Sequence, residues 1–106
     1  MELLSPAIIK RFNRVGSQQD VADPLVICRF FNPTGLGTWF ATEYNPQTKV
    51  FFGYVVLFGG VDNDWGSFSL LELSAHRGFG GLGVERDLFF DMKPFSLVEK
   101  TDTAFL

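Results

Sequence analysis

The sequence is poor in the residues that make disulfides, metal sites and membrane spans. It has one cysteine, Cys28, and one histidine, His76, so an internal disulfide is excluded and a zinc site lacks ligands. No apolar run approaches the roughly 18 residues that a membrane span needs, and the N-terminus lacks a signal-peptide core. We therefore expect a cytoplasmic protein without a metal, another cofactor or a membrane partner.

Basic residues are also scarce, because nine lysines and arginines face twelve acids, giving a net charge of −3. Residues 62–106 carry eight acids and four bases, so the whole deficit lies there. This balance disfavours contact with a phosphate backbone. The acidic part is interpreted as a solvated surface that aids solubility, with an acidic docking surface or a nucleic-acid mimic as the functional alternatives. Lys10, Arg11 and Arg14 form the one basic cluster, at the end of a predicted helix whose dipole they complement.

Aromatic residues are abundant, with thirteen phenylalanines among 106 residues. Thr38–Phe58 contains two runs rich in β-branched and aromatic residues around an Asn-Pro connector, a pattern typical of a β-hairpin. The second run is apolar at both alternating sets of positions. It therefore predicts a strand inside a sheet that meets water on neither face.

The remaining segments predict a single α+β domain over residues 1–106, with a mainly antiparallel sheet of four or five strands and two short helices. Ser5-Pro6 and Ser69-Leu-Leu-Glu72 are typical helix starts. The other assignments are a strand over Leu25–Phe31, a loop over Gly59–Gly66, a short strand at Ser67-Phe68, a helix end near Arg77, and a last strand over Val84–Phe90. Residues 92–106 receive no assignment.

No catalytic motif is present. Gly78–Gly83 matches G-x-G-x-x-G, but a helix precedes it and a strand follows, the reverse of a dinucleotide site. Alternation along the predicted last strand places Arg86 on an apolar face, where it needs a carboxylate, and Glu43 is the candidate. The pair is either an internal contact that fixes sheet register or, with Trp39, the lining of a binding pocket.

Four segments resemble the family called domain of unknown function 2958. They are Trp39-Phe-Ala-Thr-Glu-Tyr, Phe51-Phe-Gly-Tyr-Val-Val, Phe68-Ser-Leu-Leu-Glu-Leu and Gly81-Leu-Gly-Val-Glu-Arg-Asp-Leu-Phe-Phe. The resemblance implies a small bacterial protein often encoded on mobile DNA, and it implies no activity. It adds Thr42, Gly53 and Glu72 to the positions of interest. The loop Gly59–Gly66 departs from the family pattern.

The first functional hypothesis is a non-enzymatic interaction module that binds an unidentified protein, in an accessory or anti-defence role. The candidate binding residues are Trp39, Glu43, Arg77, Glu85, Arg86 and Asp87. Nucleic-acid binding through the basic cluster is the alternative, although the net charge opposes it. A ligand-binding protein or enzyme built on Glu43, Arg86 and Asp87 is the third hypothesis.

Overall fold

A computed structural model describes residues 1–57 and 63–105, apart from the side chain of Phe79. The elements in chain order are α1 (Pro6–Val15), β1 (Leu25–Val26), β2 (Cys28–Phe31), β3 (Thr38–Asn45), β4 (Val50–Val56), β5 (Asp64–Ser69), α2 (Leu70–Ala75), a 3-10 turn at Phe79–Gly81, β6 (Glu85–Arg86), β7 (Lys93–Pro94), α3 (Phe95–Thr101) and a 3-10 turn at Thr103–Phe105. Five antiparallel strands form the main sheet in the order β5-β4-β3-β2-β6, and β1 pairs with β7 in a second sheet. The α+β class is confirmed, with three α-helices rather than the predicted two.

The predicted hairpin is confirmed as β3 and β4, joined by a turn at residues 46–49. Its register is interrupted, since Ala41 pairs with Gly53 but Glu43 pairs with Phe52. Thr42 is therefore an extra residue, a β-bulge, on β3. The position of β4 between β3 and β5 also agrees with the prediction. The expectation that neither face of β4 meets water is wrong at Phe52, which is 40% exposed.

Each face of the main sheet has its own apolar cluster. Phe12 of α1 and Leu73 of α2 are buried with Phe30 and Phe51 on one face. On the other face, Val98 of α3 is buried with Phe40 and Val56, and Phe105 packs beside them. Alternation along the strands sends successive side chains into different clusters, so the strands bury Phe30, Phe51 and Phe68 on one face and Phe40 on the other.

Both predicted helix starts are confirmed at the level of single hydrogen bonds. The Ile8 amide donates to Ser5 Oγ at 3.3 Å, and the Glu72 amide donates to Ser69 Oγ at 2.9 Å. The helix α2 ends at Ala75 with His76 as its C-cap, two residues before the predicted end. Within the described ranges, no helix is long and apolar enough to cross a bilayer.

The segment predicted as one strand over Leu25–Phe31 divides at Ile27. The later part, β2, continues beside β3, and the Ile27 amide still donates to the Ala41 carbonyl oxygen at 2.8 Å. The earlier part, β1, leaves β3 at the bulge and pairs with β7 instead. Two strands that separate in this way leave backbone groups that need other partners.

The side chain of Gln18 supplies those partners. Its amide nitrogen donates to the carbonyl oxygens of Leu25 at 2.9 Å and Thr42 at 2.8 Å, and its Oε1 accepts from the Leu25 amide at 2.7 Å. Gln18 is buried, so water cannot readily take over these bonds. It thus replaces a missing stretch of strand between β1 and β3.

We expect Gln18→Ala to lower the free energy of unfolding by about 3 kcal/mol, because three backbone groups lose their partners in a buried position. Urea denaturation of the purified variant measures this directly. The exposed neighbour provides the control, since Gln19→Ala should change stability by less than about 0.5 kcal/mol. Equal stability of the two variants would contradict the role assigned to the Gln18 amide.

The last predicted strand, Val84–Phe90, is wrong in length, since β6 contains only Glu85 and Arg86. The chain turns at Asp87, whose amide donates to the Arg29 carbonyl oxygen at 2.8 Å. The predicted loop over Gly59–Gly66 is also wrong in part, because its last three residues belong to β5. Residues 59–62 of that loop, and residue 58 at the end of the predicted hairpin, lie outside the described part of the chain.

Residues 92–105, for which the sequence predicts no element, contain β7 and α3 and cover one face of the sheet. The N-terminus of α3 has no local side-chain cap. Instead the Ser96 amide and hydroxyl donate to the carboxylate of Asp23 at 2.9 and 2.6 Å. These hydrogen bonds hold the pKa of Asp23 below its usual value.

Candidate functional site

The structure separates Glu43 from Arg86. Arg86 pairs with Phe30 on β2, which pairs with Trp39 on β3, and Glu43 lies four residues further along β3. The two side chains are thus two strands apart and displaced by more than about 10 Å along the sheet. The predicted Glu43–Arg86 pair is wrong, and so is the pocket that these residues were to form with Trp39.

Arg86 binds the N-terminal segment instead. Its guanidinium donates to the Leu3 carbonyl oxygen at 2.6 Å and lies 3.5 Å from that of Glu2. Its backbone amide lies 3.1 Å from the sulfur of Met1. Arg86 therefore fixes the chain that leads into α1.

The other predicted binding residues do not form one site either. Arg77 caps the end of α2 by donating to the carbonyl oxygens of Ser74 at 2.8 Å and His76 at 2.7 Å. Trp39 packs against the cluster on the α1 face of the sheet. Glu85 lies in β6, the edge strand of the sheet, and pairs with Phe31 of β2. A structural role accounts for Arg77 and Trp39.

Asp87 differs, because it organises a tight turn over residues 87–90. Its backbone carbonyl accepts from the Phe90 amide at 3.3 Å, and its Oδ1 accepts from the Phe89 amide at 3.0 Å. Its other carboxylate oxygen lies 3.5 Å from Nη1 of Arg29. The Asp87 backbone amide also donates a hydrogen bond to the Arg29 carbonyl oxygen, so four contacts fix this segment, which we call the Asp87 turn.

The Asp87 turn exposes two large apolar side chains. Phe89 is 94% exposed and Leu88 is 63% exposed. Phe90, in contrast, turns inward against the cluster below α3, and Nζ of Lys93 lies 4.9 Å from the centre of its ring. The turn is thus held by the polar contacts of Asp87 and by the packing of Phe90, and the exposed side chains of Leu88 and Phe89 do not contribute to holding it.

The exposure of Leu88 and Phe89 is not visible in the sequence, because the alternation of apolar residues through Val84–Phe90 is typical of a strand. A signal was present, since an aspartate side chain often accepts from the amide two residues later and so stops a strand. The flanking residues Glu85 and Asp87 were identified as candidates, and the residues between Asp87 and Asp91 were not.

The described residues offer little for catalysis. Cys28 is buried, and the loss of solvent raises the pKa of its thiol to about 12, so it is no nucleophile. Asp87 is engaged by Arg29 and lies far from Glu43, so the proposed enzyme arrangement is not formed. Within residues 1–57 and 63–105, no three acidic, histidine or cysteine side chains are grouped to hold a metal ion.

The fold and this surface define a small α+β protein that displays an anchored apolar turn. The family described as "Protein of unknown function (DUF2958)" matches residues 3–104, and the chain belongs to that family. The resemblance found in the sequence is therefore confirmed. Neither a curated protein nor a solved structure gave a match.

Proposed function

We propose that the protein is a non-enzymatic interaction module that binds another protein through the Asp87 turn. The observation that carries the proposal is the 94% exposure of Phe89 on a turn held by four contacts. We further propose that it acts in the cytoplasm of bacteria that carry mobile DNA, in an accessory or anti-defence role. Membership of the family is compatible with that setting and the turn supports the binding role.

The energetics favour such a role. Leaving a phenylalanine in water forgoes about 2 kcal/mol of burial free energy, so a fully exposed Phe89 has no use within the fold. A turn that is already rigid loses little conformational entropy when a partner binds. Aromatic side chains that enter a partner's pocket commonly supply a large share of binding free energy.

The charges near the turn indicate what the partner presents. Asp91 is exposed next to the apolar tip, and Glu85 precedes the turn. Arg86 lies between Glu85 and Leu88 in sequence, but its guanidinium donates to the Leu3 carbonyl oxygen. The exposed carboxylate that follows Leu88 and Phe89 in sequence is that of Asp91. The matching surface is an apolar pocket with a basic rim, which also speeds encounter.

Affinity capture with matched variants tests the proposal. Tagged wild-type protein, Phe89→Ser and Leu71→Ser are incubated with host lysate, with and without nuclease, and bound proteins are quantified by mass spectrometry. Leu71 is a suitable control because it is 77% exposed on α2, away from the turn. We expect a nuclease-resistant protein whose recovery falls at least about tenfold with Phe89→Ser and is unchanged with Leu71→Ser.

Two results would contradict the proposal. Equal recovery of the partner by wild type and Phe89→Ser would remove the turn from the interface. Recovery that disappears with nuclease and with substitution of Lys10, Arg11 and Arg14 would establish nucleic-acid binding instead. These three residues are exposed on α1, and no ion pair among the described residues includes them.

A further inference from the structure

A groove with an aromatic floor lies on the α3 face of the sheet, away from the Asp87 turn. It measures about 540 Å³ and runs between the connector after α1 and strands β3 to β5. The rings of Phe52 and Trp65 stack along its floor at a centroid distance of 6.2 Å and an angle of 11°. Helix α3 covers Trp65 through its first residue, Phe95, whose ring centre lies 4.7 Å from that of Trp65. It does not cover Phe52, which remains exposed.

Glu43 is the charged residue of this groove. It pairs with Phe52 across the strands, and Ser67 pairs with Phe52 on the other side, so the three form one row. The lining contains no lysine or arginine. Among the described residues, no ion pair includes the Glu43 carboxylate.

The concavity continues past Glu43. A second cleft of about 430 Å³, beside the β3–β4 turn and the end of α1, shares Glu43, Phe52 and Ser67 with the groove. Two adjoining open clefts can each accommodate part of an extended chain, which suits a peptide segment.

We propose that this groove binds an extended peptide segment of a partner through an arginine side chain. A guanidinium plane stacks on an aromatic face and donates two parallel hydrogen bonds to a carboxylate, so Phe52 and Glu43 together match it. The groove uses different residues from the Asp87 turn, and the proposal does not depend on that turn.

The two tryptophans allow a direct test by NMR. Trp65 lies in the groove, whereas Trp39 packs on the opposite face, so its indole N–H signal is an internal reference. The probe is the capped peptide Ala-Ala-Arg-Ala-Ala, compared with the same peptide carrying citrulline, a neutral isostere of arginine. We expect the arginine peptide to shift the Trp65 indole signal saturably and to leave that of Trp39 unchanged.

Variants separate the carboxylate from overall charge. Glu43→Gln should weaken binding about tenfold, which corresponds to loss of a charged hydrogen bond. The control is Asp64→Asn, which removes one exposed carboxylate from β5 outside the groove lining and should leave binding unchanged. Phe89→Ser should also bind normally, which keeps this result independent of the partner-capture experiment.

Several outcomes would overturn the proposal. One is the absence of a Trp65 shift at about 10 mM arginine peptide. Another is equal affinity for the citrulline peptide, which would show that charge is not recognised. Equal weakening by Glu43→Gln and Asp64→Asn would assign the effect to net charge rather than to the groove.

Discussion

Replacing Gly53 with alanine is expected to prevent stable folding. A Cβ atom at this position would overlap the Phe40 carbonyl oxygen and would lie 2.8 Å from its carbon and 3.0 Å from Cα of Ala41. These are backbone atoms of β3, inside the sheet, so they cannot move aside as a flexible side chain would. We expect a loss of at least about 4 kcal/mol, seen as insoluble protein or a melting temperature lowered by more than about 15 °C.

The cross-strand partner of Gly53 provides a matched control. Gly66 pairs with Gly53 between β5 and β4, and no described atom would lie within 4 Å of a Cβ there. Gly66→Ala should therefore be neutral or stabilise by about 0.5 kcal/mol. A Gly53→Ala protein that melts within about 3 °C of wild type would show that β3 can shift to accommodate the methyl group.

Replacing Arg29 with methionine is the second substitution with a large expected effect. The guanidinium donates to Asp102 at 2.9 and 3.2 Å and also pairs with Asp87, and its side chain is 13% exposed. It lies 5.5 Å from the ring centre of Phe31 and 5.8 Å from that of Phe40. Methionine keeps the apolar stem but leaves two poorly solvated carboxylates unpaired, so unfolding free energy should fall by about 3 kcal/mol.

A double variant tests that explanation. If unpaired carboxylates cause the loss, Arg29→Met combined with Asp102→Leu should recover a large part of the stability in urea denaturation. The exposed control Arg11→Met should change stability by less than about 0.5 kcal/mol. Failure of the double variant to recover stability would mean that the aromatic contacts of Arg29, rather than its ion pairs, account for the effect.

Local patterns explain which parts of the fold could be predicted. The hairpin and the caps at Ser5 and Ser69 depend on residues within a few positions of each other, so the sequence displays them. The start of α3 could not be found in this way, because its cap is Asp23, 73 residues away from Ser96. Arg29 and Asp102 are separated by the same distance along the chain.

The site was harder to predict than the fold. Arg86 looked like one half of an ion pair because its environment was apolar, but backbone carbonyl oxygens satisfy it. Glu43 stays a predicted binding residue, and its neighbours across the strands are Phe52 and Ser67 rather than Arg86. Gly53 was noted from the family resemblance alone, and only the structure supplies a reason, since the close approach of β3 is a three-dimensional fact.

The way the Asp87 turn is held has an evolutionary consequence. Its geometry depends on Asp87 and on the Arg29 backbone and side chain, none of which lies at the tip. Substitutions at Leu88 and Phe89 therefore change the side chains exposed at the tip without changing the backbone geometry of the turn. Selection can retarget such a surface in single steps while the framework stays constant. Engineered substitutions at these two positions should therefore alter which partner is bound, while Asp87 and Arg29 keep the turn in place.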